Sequence, residues 1–152
     1  MNKLVLTALL PLLLAACGIG GTPKNYDVSG TISGKQPSGA LKMAVVGVSL
    51  GGVVNTATGQ IAISSPDGKK FSVDYPLSPA DGLYQVIAYI DADGNGKYNL
   101  GELRTANNNK YLAYAKSGGG LASLVGLRAG WNYVIGTAVT QPSRITDYDL
   151  SW

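Results

Sequence analysis

Along much of this 152-residue chain apolar and polar side chains alternate, the period of a half-buried strand. Tyr26, Val28 and Ile32 fall on one face, with Asp27, Ser29, Thr31 and Ser33 on the other. Residues 70–75 repeat the pattern, Phe71, Val73 and Tyr75 against Ser72 and Asp74. Residues 41–50 are nearly all apolar, which suits a strand covered on both sides. Further strands are predicted over residues 60–64, 110–116, 131–140 and 144–152, the last at a sheet edge; Trp131, Tyr133, Ile135 and Val139 share a face. Residues 121–127 are ambiguous between a strand and a short helix. Gly, Pro, Asn and Asp punctuate the segments at residues 34–39, 51–52, 56–59, 66–68, 76–82, 117–120, 129–130 and 141–143. Short strands with frequent turns predict an all-β fold, a single antiparallel β-sandwich of about 7–8 strands.

The stretch from Asp91 to Glu102 carries the most specific chemistry. It matches the twelve-position calcium loop of EF-hands, with oxygen-bearing side chains at positions 1, 3 and 5, glycine at 6, a backbone carbonyl at 7 and glutamate at 12. Ca²⁺ is a hard cation that takes roughly 6–8 oxygen ligands, so the chain must curl tightly around it. Asp91, Asp93 and Asn95 are the expected inward ligands, and Gly96 permits the sharp turn. The Lys97 carbonyl follows, Asn99 reaches the ion directly or through water, and Glu102 closes the shell. Asp, Asn and Gly are also common turn formers, but turn chemistry alone does not require Glu102. Leu83, Val86, Ile87 and Ile90 before the loop have the spacing of an entering helix, yet Tyr, Val and Ile favour strands. Residues 106–110 after it are a poor helix, and no second copy of the loop exists to pair with. The expectation is therefore an EF-type loop joining two strands.

The N-terminus reads Met1-Asn2-Lys3 and then runs apolar over residues 4–16, broken by Thr7 and Pro11. This is the layout of a secretory signal and is too short to span a bilayer. Leu14-Ala15-Ala16-Cys17 resembles the lipobox of bacterial lipoproteins, and Cys17 is the only cysteine in the chain. The resemblance implies cleavage before Cys17, diacylglycerol on its sulfur and further acylation, such as palmitate, on its amino group. Two or three acyl chains would anchor the protein firmly in the membrane. Gly18 follows in place of an aspartate, which implies the outer membrane in a double-membraned cell and otherwise the outer face of the cytoplasmic membrane. The expected organisation is a signal peptide at residues 1–16, a lipidated cysteine and tether at 17–25 and the sandwich at 26–152. With Cys17 lipidated no disulfide can form, so something else must stiffen the fold, and a bound Ca²⁺ is one candidate.

The formal charge of +3 falls to +2 once Lys3 is removed, and no basic run carries interleaved aromatics, so nucleic acid is not an expected partner. The chain has no histidine, which excludes His-based general-base catalysis and His-ligated zinc. Residues 47–51 match G-x-S-x-G but lack both the histidine and the following helix that a nucleophile elbow needs. Asp67, Asp74, Asp81, Asp147 and Asp149 are scattered singly, as solvated surface positions are. Residues 82–97, with Glu102, resemble the strand-to-loop passage of transthyretin-like or immunoglobulin-like bacterial surface modules. That resemblance covers about one-seventh of the chain and implies structural or binding modules. The sequence thus leads to a non-catalytic, lipid-anchored cell-envelope module with a structural, adhesive or protein-interaction role, facing an envelope protein or a cell-surface polymer. The alternative is an envelope lipoprotein that binds a carbohydrate or a hydrophobic small molecule through exposed aromatics; Trp131 and Trp152 are the residues that decide it, Trp131 reading first as a core residue and Trp152 as evenly placed between core and surface.

Overall fold

The computed structural model describes residues 27–49, 54–55, 61–63, 69–75, 79–119 and 121–152. The expected signal peptide, Cys17, the tether and the turns at 51–52, 56–59 and 66–68 lie outside the described residues. The elements in chain order are β1 (Val28–Ser33), β2 (Leu41–Val48), β3 (Val54–Asn55), β4 (Ile61–Ile63), β5 (Lys70–Val73), β6 (Gly82–Ile90), β7 (Lys110–Ala115), α1 (Leu121–Leu124), β8 (Gly130–Ile135), β9 (Ala138–Thr140) and β10 (Leu150–Ser151). They form two sheets, one ordered β10-β1-β5 and the other β3-β2-β6-β7-β8-β9, with β4 also paired to β2. The architecture is all-β and sandwich-like.

The alternating segments behave as their period dictates. Val28, Ile32, Phe71 and Val73 of the small sheet meet Met43, Val45, Tyr84, Val86, Leu112 and Tyr133 of the large one in the main core. The two continuous apolar runs need cover on both sides. On the opposite face of β2 and β6 a second cluster gathers Ala44, Val46, Ile87 and Tyr89 with Tyr98 from the loop that follows β6. Each fully buried Val, Leu, Ile or Phe side chain stabilises by about 1.5–3 kcal/mol, so this second face is a substantial part of the fold.

Three expectations need correction. The sheets are not purely antiparallel, because β10 runs parallel to β1, with Ile32 opposite Leu150 and Ser33 opposite Ser151. The C-terminal segment also bridges Val28 to Ile145 in the parallel sense, so residues 144–152 are mostly irregular chain lying along β1. Residues 131–140 are not one strand but a hairpin, β8 and β9, with Tyr133 opposite Thr140 and Ile135 opposite Ala138. Gly136 makes this turn at φ 59°, a left-handed conformation open to glycine, and donates its N–H to the Asn109 carbonyl at 3.2 Å. The ambiguous segment at 121–127 begins with the single helical turn α1.

One seam positions the rest. β6 pairs with β7 only from Gly82 to Tyr84. Farther along, its outward N–H groups find other acceptors: Val86 donates to Tyr148 Oη at 3.2 Å, Ala88 to Thr105 Oγ1 at 3.1 Å and Ile90 to the Leu103 carbonyl at 2.9 Å. Tyr148 Oη in turn donates to the Lys110 carbonyl at 2.7 Å, so one buried hydroxyl spans the gap between β6 and β7. Buried backbone groups must be paired, and here side chains do what a strand would otherwise do.

Candidate metal centre

The chain leaves β6 at Asp91 and returns beside the same strand, with Tyr89 bridged antiparallel to Arg104 and the Thr105 N–H donating to the Ala88 carbonyl at 2.9 Å. The intervening residues therefore form a closed loop between two extended segments, with no helix on either side. Gly94 and Gly96 adopt φ 73° and 74°, which curls the backbone inward. A side chain at either position would strain that curl.

The curl brings three carboxylates together. Single oxygens of Asp91, Asp93 and Glu102 lie within 4.8 Å of one another. Backbone N–H groups hold them: Gly96 donates to Asp91 Oδ2 at 3.0 Å, Asn95 to Asp93 Oδ1 at 3.1 Å, Ala92 to Glu102 Oε1 at 2.8 Å and Asn99 to Glu102 Oε2 at 2.8 Å. Each carboxylate oxygen has about two acceptor sites, so these bonds leave capacity for a cation. Asp91 differs from its neighbours. It is 7% exposed, and its Oδ1 has no hydrogen-bond partner. A buried, unsatisfied carboxylate oxygen costs several kcal/mol by order of magnitude unless a counter-charge meets it.

The remaining expected ligands are near but differently turned. The amide groups of Asn95 and Asn99 both donate to Asp93 Oδ2 at 2.8 Å, while Asn95 Oδ1 accepts the Lys97 N–H at 2.7 Å. Their N–H₂ groups therefore face the carboxylate, and their oxygens would face a cation only after the amides turn over.

Two residues at the base of the loop were not singled out from sequence. Tyr98, buried, packs edge-on against Tyr89 with ring centroids 5.7 Å apart. Tyr89 has no exposed surface, and burial first, then the negative charges of Asp91, Glu102 and Asp93, push its phenol up to about 12. The signal for Tyr98 was present. It is the one large apolar side chain between Asp91 and Asn99, and such a residue in a polar loop must pack inward.

The tryptophans weighed between core burial and an exposed binding row both pack against the main core. Trp131 is half-buried, its face stacked on Tyr75 at 4.8 Å between ring centroids, with Tyr84 and Tyr114 in T-shaped contact at 5.3 and 5.2 Å. Trp152 is also half-buried. At the far end of the large sheet a cavity of about 720 Å³ is lined by Val48, Leu83, Ala113, Ala115, Val125 and Leu127 among others. No helix among the described residues is long and apolar enough to cross a membrane. Comparison of the chain with protein-family models, curated proteins and solved structures finds no match.

Proposed function

We propose that this protein is a non-catalytic, lipid-anchored envelope module whose loop at Asp91, Asp93 and Glu102 binds Ca²⁺ to stiffen a β-sandwich. The observation that supports the metal is Asp91 Oδ1, a buried carboxylate oxygen without a partner beside two further carboxylates. An all-oxygen donor set suits a hard cation, and the Lys97 carbonyl with the oxygens of Asn95 and Asn99 would complete the shell. Ca²⁺ would cancel the repulsion among the three carboxylates and tie Asp91, at the end of β6, to Glu102, just before the returning segment. With three carboxylates and no paired helices, binding is expected on the order of 10⁻⁵–10⁻³ M. Such a site stays filled where calcium is plentiful, so it stabilises rather than signals.

Thermal melts of the wild-type and Asp91→Asn proteins, with calcium and with chelator, test this. At about a hundredfold excess of calcium over its dissociation constant, linkage contributes about 2.7 kcal/mol, several degrees in melting temperature for a domain of this size. Identical melts with and without calcium would remove the reading. The carbohydrate form of the alternative loses support because Tyr75 already covers a face of Trp131. The apolar cavity keeps the hydrophobic-ligand form open to a direct test, displacement of an environment-sensitive dye by added fatty acid.

A further inference from the structure

Three buried side-chain atoms along β6 and its exit have no hydrogen-bond partner: Gln85 Nε2, Tyr89 Oη and Asp91 Oδ1. Gln85 and Tyr89 share a face of the strand with Ile87, which sits between them in the second cluster. Buried polar atoms are nearly always paired, so each of these three calls for an explanation.

Two of them belong together. Tyr89 has no exposed surface, and its ring meets Tyr98 of the metal loop edge-on at 5.7 Å between centroids. Burial and then the charges of Asp91, Glu102 and Asp93 raise its phenol to about 12, so its hydroxyl lies within the field of all three carboxylates. A hydroxyl able to donate thus stands near a carboxylate oxygen able only to accept, yet the two do not bond each other. Gln85 stands apart, four residues or about 13 Å back along the strand.

A cation alone does not resolve this pair. Ca²⁺ would meet Asp91 Oδ1, but a positive ion cannot accept the phenol proton. A water held by the ion can, because its oxygen keeps a free lone pair. Asp91, Asp93, Asn95, Lys97, Asn99 and Glu102 leave room for one in a shell of roughly 6–8 oxygens.

We propose that Tyr89 is a positioning residue of the metal centre, its hydroxyl hydrogen-bonded to a water in the shell of the cation. The inference rests on calcium binding at Asp91, Asp93 and Glu102, the reading above. Its consequence is specific: the hydroxyl burdens the calcium-free fold and strengthens the calcium-bound one relative to it. A ring that merely packs has no such dependence on calcium.

Tyr89→Phe in the whole chain tests this, since it keeps the ring and its edge contact with Tyr98. Titration calorimetry with calcium chloride reads the affinity without relying on tyrosine as a probe, and thermal melts in chelator and in saturating calcium read the two states. The dissociation constant should rise about 3–10-fold, the worth of one net hydrogen bond. The melting temperature in chelator should be no lower than that of the wild type, and calcium should raise it by less. Gln85→Met, an orphan removed from the same face but away from the loop, should leave the affinity unchanged. An unaltered affinity in Tyr89→Phe overturns the proposal. So does an equal drop in melting temperature with and without calcium, which marks a hydrogen bond made without the metal, or an equal loss of affinity in Gln85→Met. Wild-type protein that takes up calcium, loses it in Asp91→Asn and keeps it unchanged in Tyr89→Phe overturns this inference alone. Wild-type protein that takes up none overturns the metal reading with it.

Discussion

Tyr148→Phe removes one oxygen atom from the seam that holds the returning segment of the metal loop against β6. The side chain is fully buried, and its hydroxyl accepts the Val86 N–H at 3.2 Å while donating to the Lys110 carbonyl at 2.7 Å. The Lys110 carbonyl keeps another donor, Asn107 Nδ2 at 2.7 Å, so the substitution orphans the Val86 N–H alone. An unsatisfied buried donor costs about 1–3 kcal/mol, and about 2 kcal/mol is expected here. For a domain of this size that lowers the melting temperature by roughly 5–10 °C. Tyr133→Phe is the matched control, because its hydroxyl reaches Asp147 Oδ1 at a long 3.4 Å; it should cost under about 1 kcal/mol. Urea melts give both values, and hydrogen exchange locates the effect, with Val86 losing protection while Tyr84, paired to β7, retains it. If Tyr148→Phe melts within about 0.5 kcal/mol of wild type, the seam carries no weight and the reasoning fails.

Other expectations follow from single contacts. Gly30→Ala should destabilise by more than about 2 kcal/mol in denaturant melts, because a Cβ there would stand 2.4 Å from the Tyr148 backbone oxygen and β1 would have to part from the C-terminal segment. Tyr98→Ala should cost about 3–5 kcal/mol and weaken calcium binding, since it empties the cluster beneath the loop; unaltered affinity in a calcium titration would separate that cluster from the site. Burial, then the Asp27 charge, raises the Tyr75 phenol from 10.0 to about 12, and burial shifts Tyr133 and Tyr148 in the same direction. The folded state thus holds these protons more tightly than the unfolded one. Their contribution to stability is complete below about pH 10 and is lost as pH rises toward 12, which melting temperature against pH will show.

The sequence made the short-range features legible, because period and spacing are local. The strand character of residues 83–90, the two-sided burial of residues 41–48 and the convergence of Asp91, Asp93 and Glu102 follow from side-chain alternation and from a twelve-residue ligand spacing. What escaped depends on partners far away in the chain. Tyr148 meets Val86 across 62 residues, and nothing near either one announces it. The parallel lie of β10 on β1 is likewise a pairing of the two ends of the domain. The break at Gly136 was hidden because Trp131, Tyr133, Ile135 and Val139 keep an even spacing through the turn, and a Gly-Thr pair is a weaker hairpin signal than Asn-Gly. The tyrosines beneath the loop were legible in principle, since a large apolar side chain inside a polar loop has to go somewhere.

Terbium luminescence sensitised by tyrosine, followed by competition with Ca²⁺, reads the metal loop most directly, because Tyr98 and Tyr89 lie at its base. The account predicts a saturable signal from one site that Ca²⁺ displaces with a dissociation constant on the order of 10⁻⁵–10⁻³ M, and its loss in Asp91→Asn. A wild-type signal that never saturates, or that survives unchanged in Asp91→Asn, would contradict it.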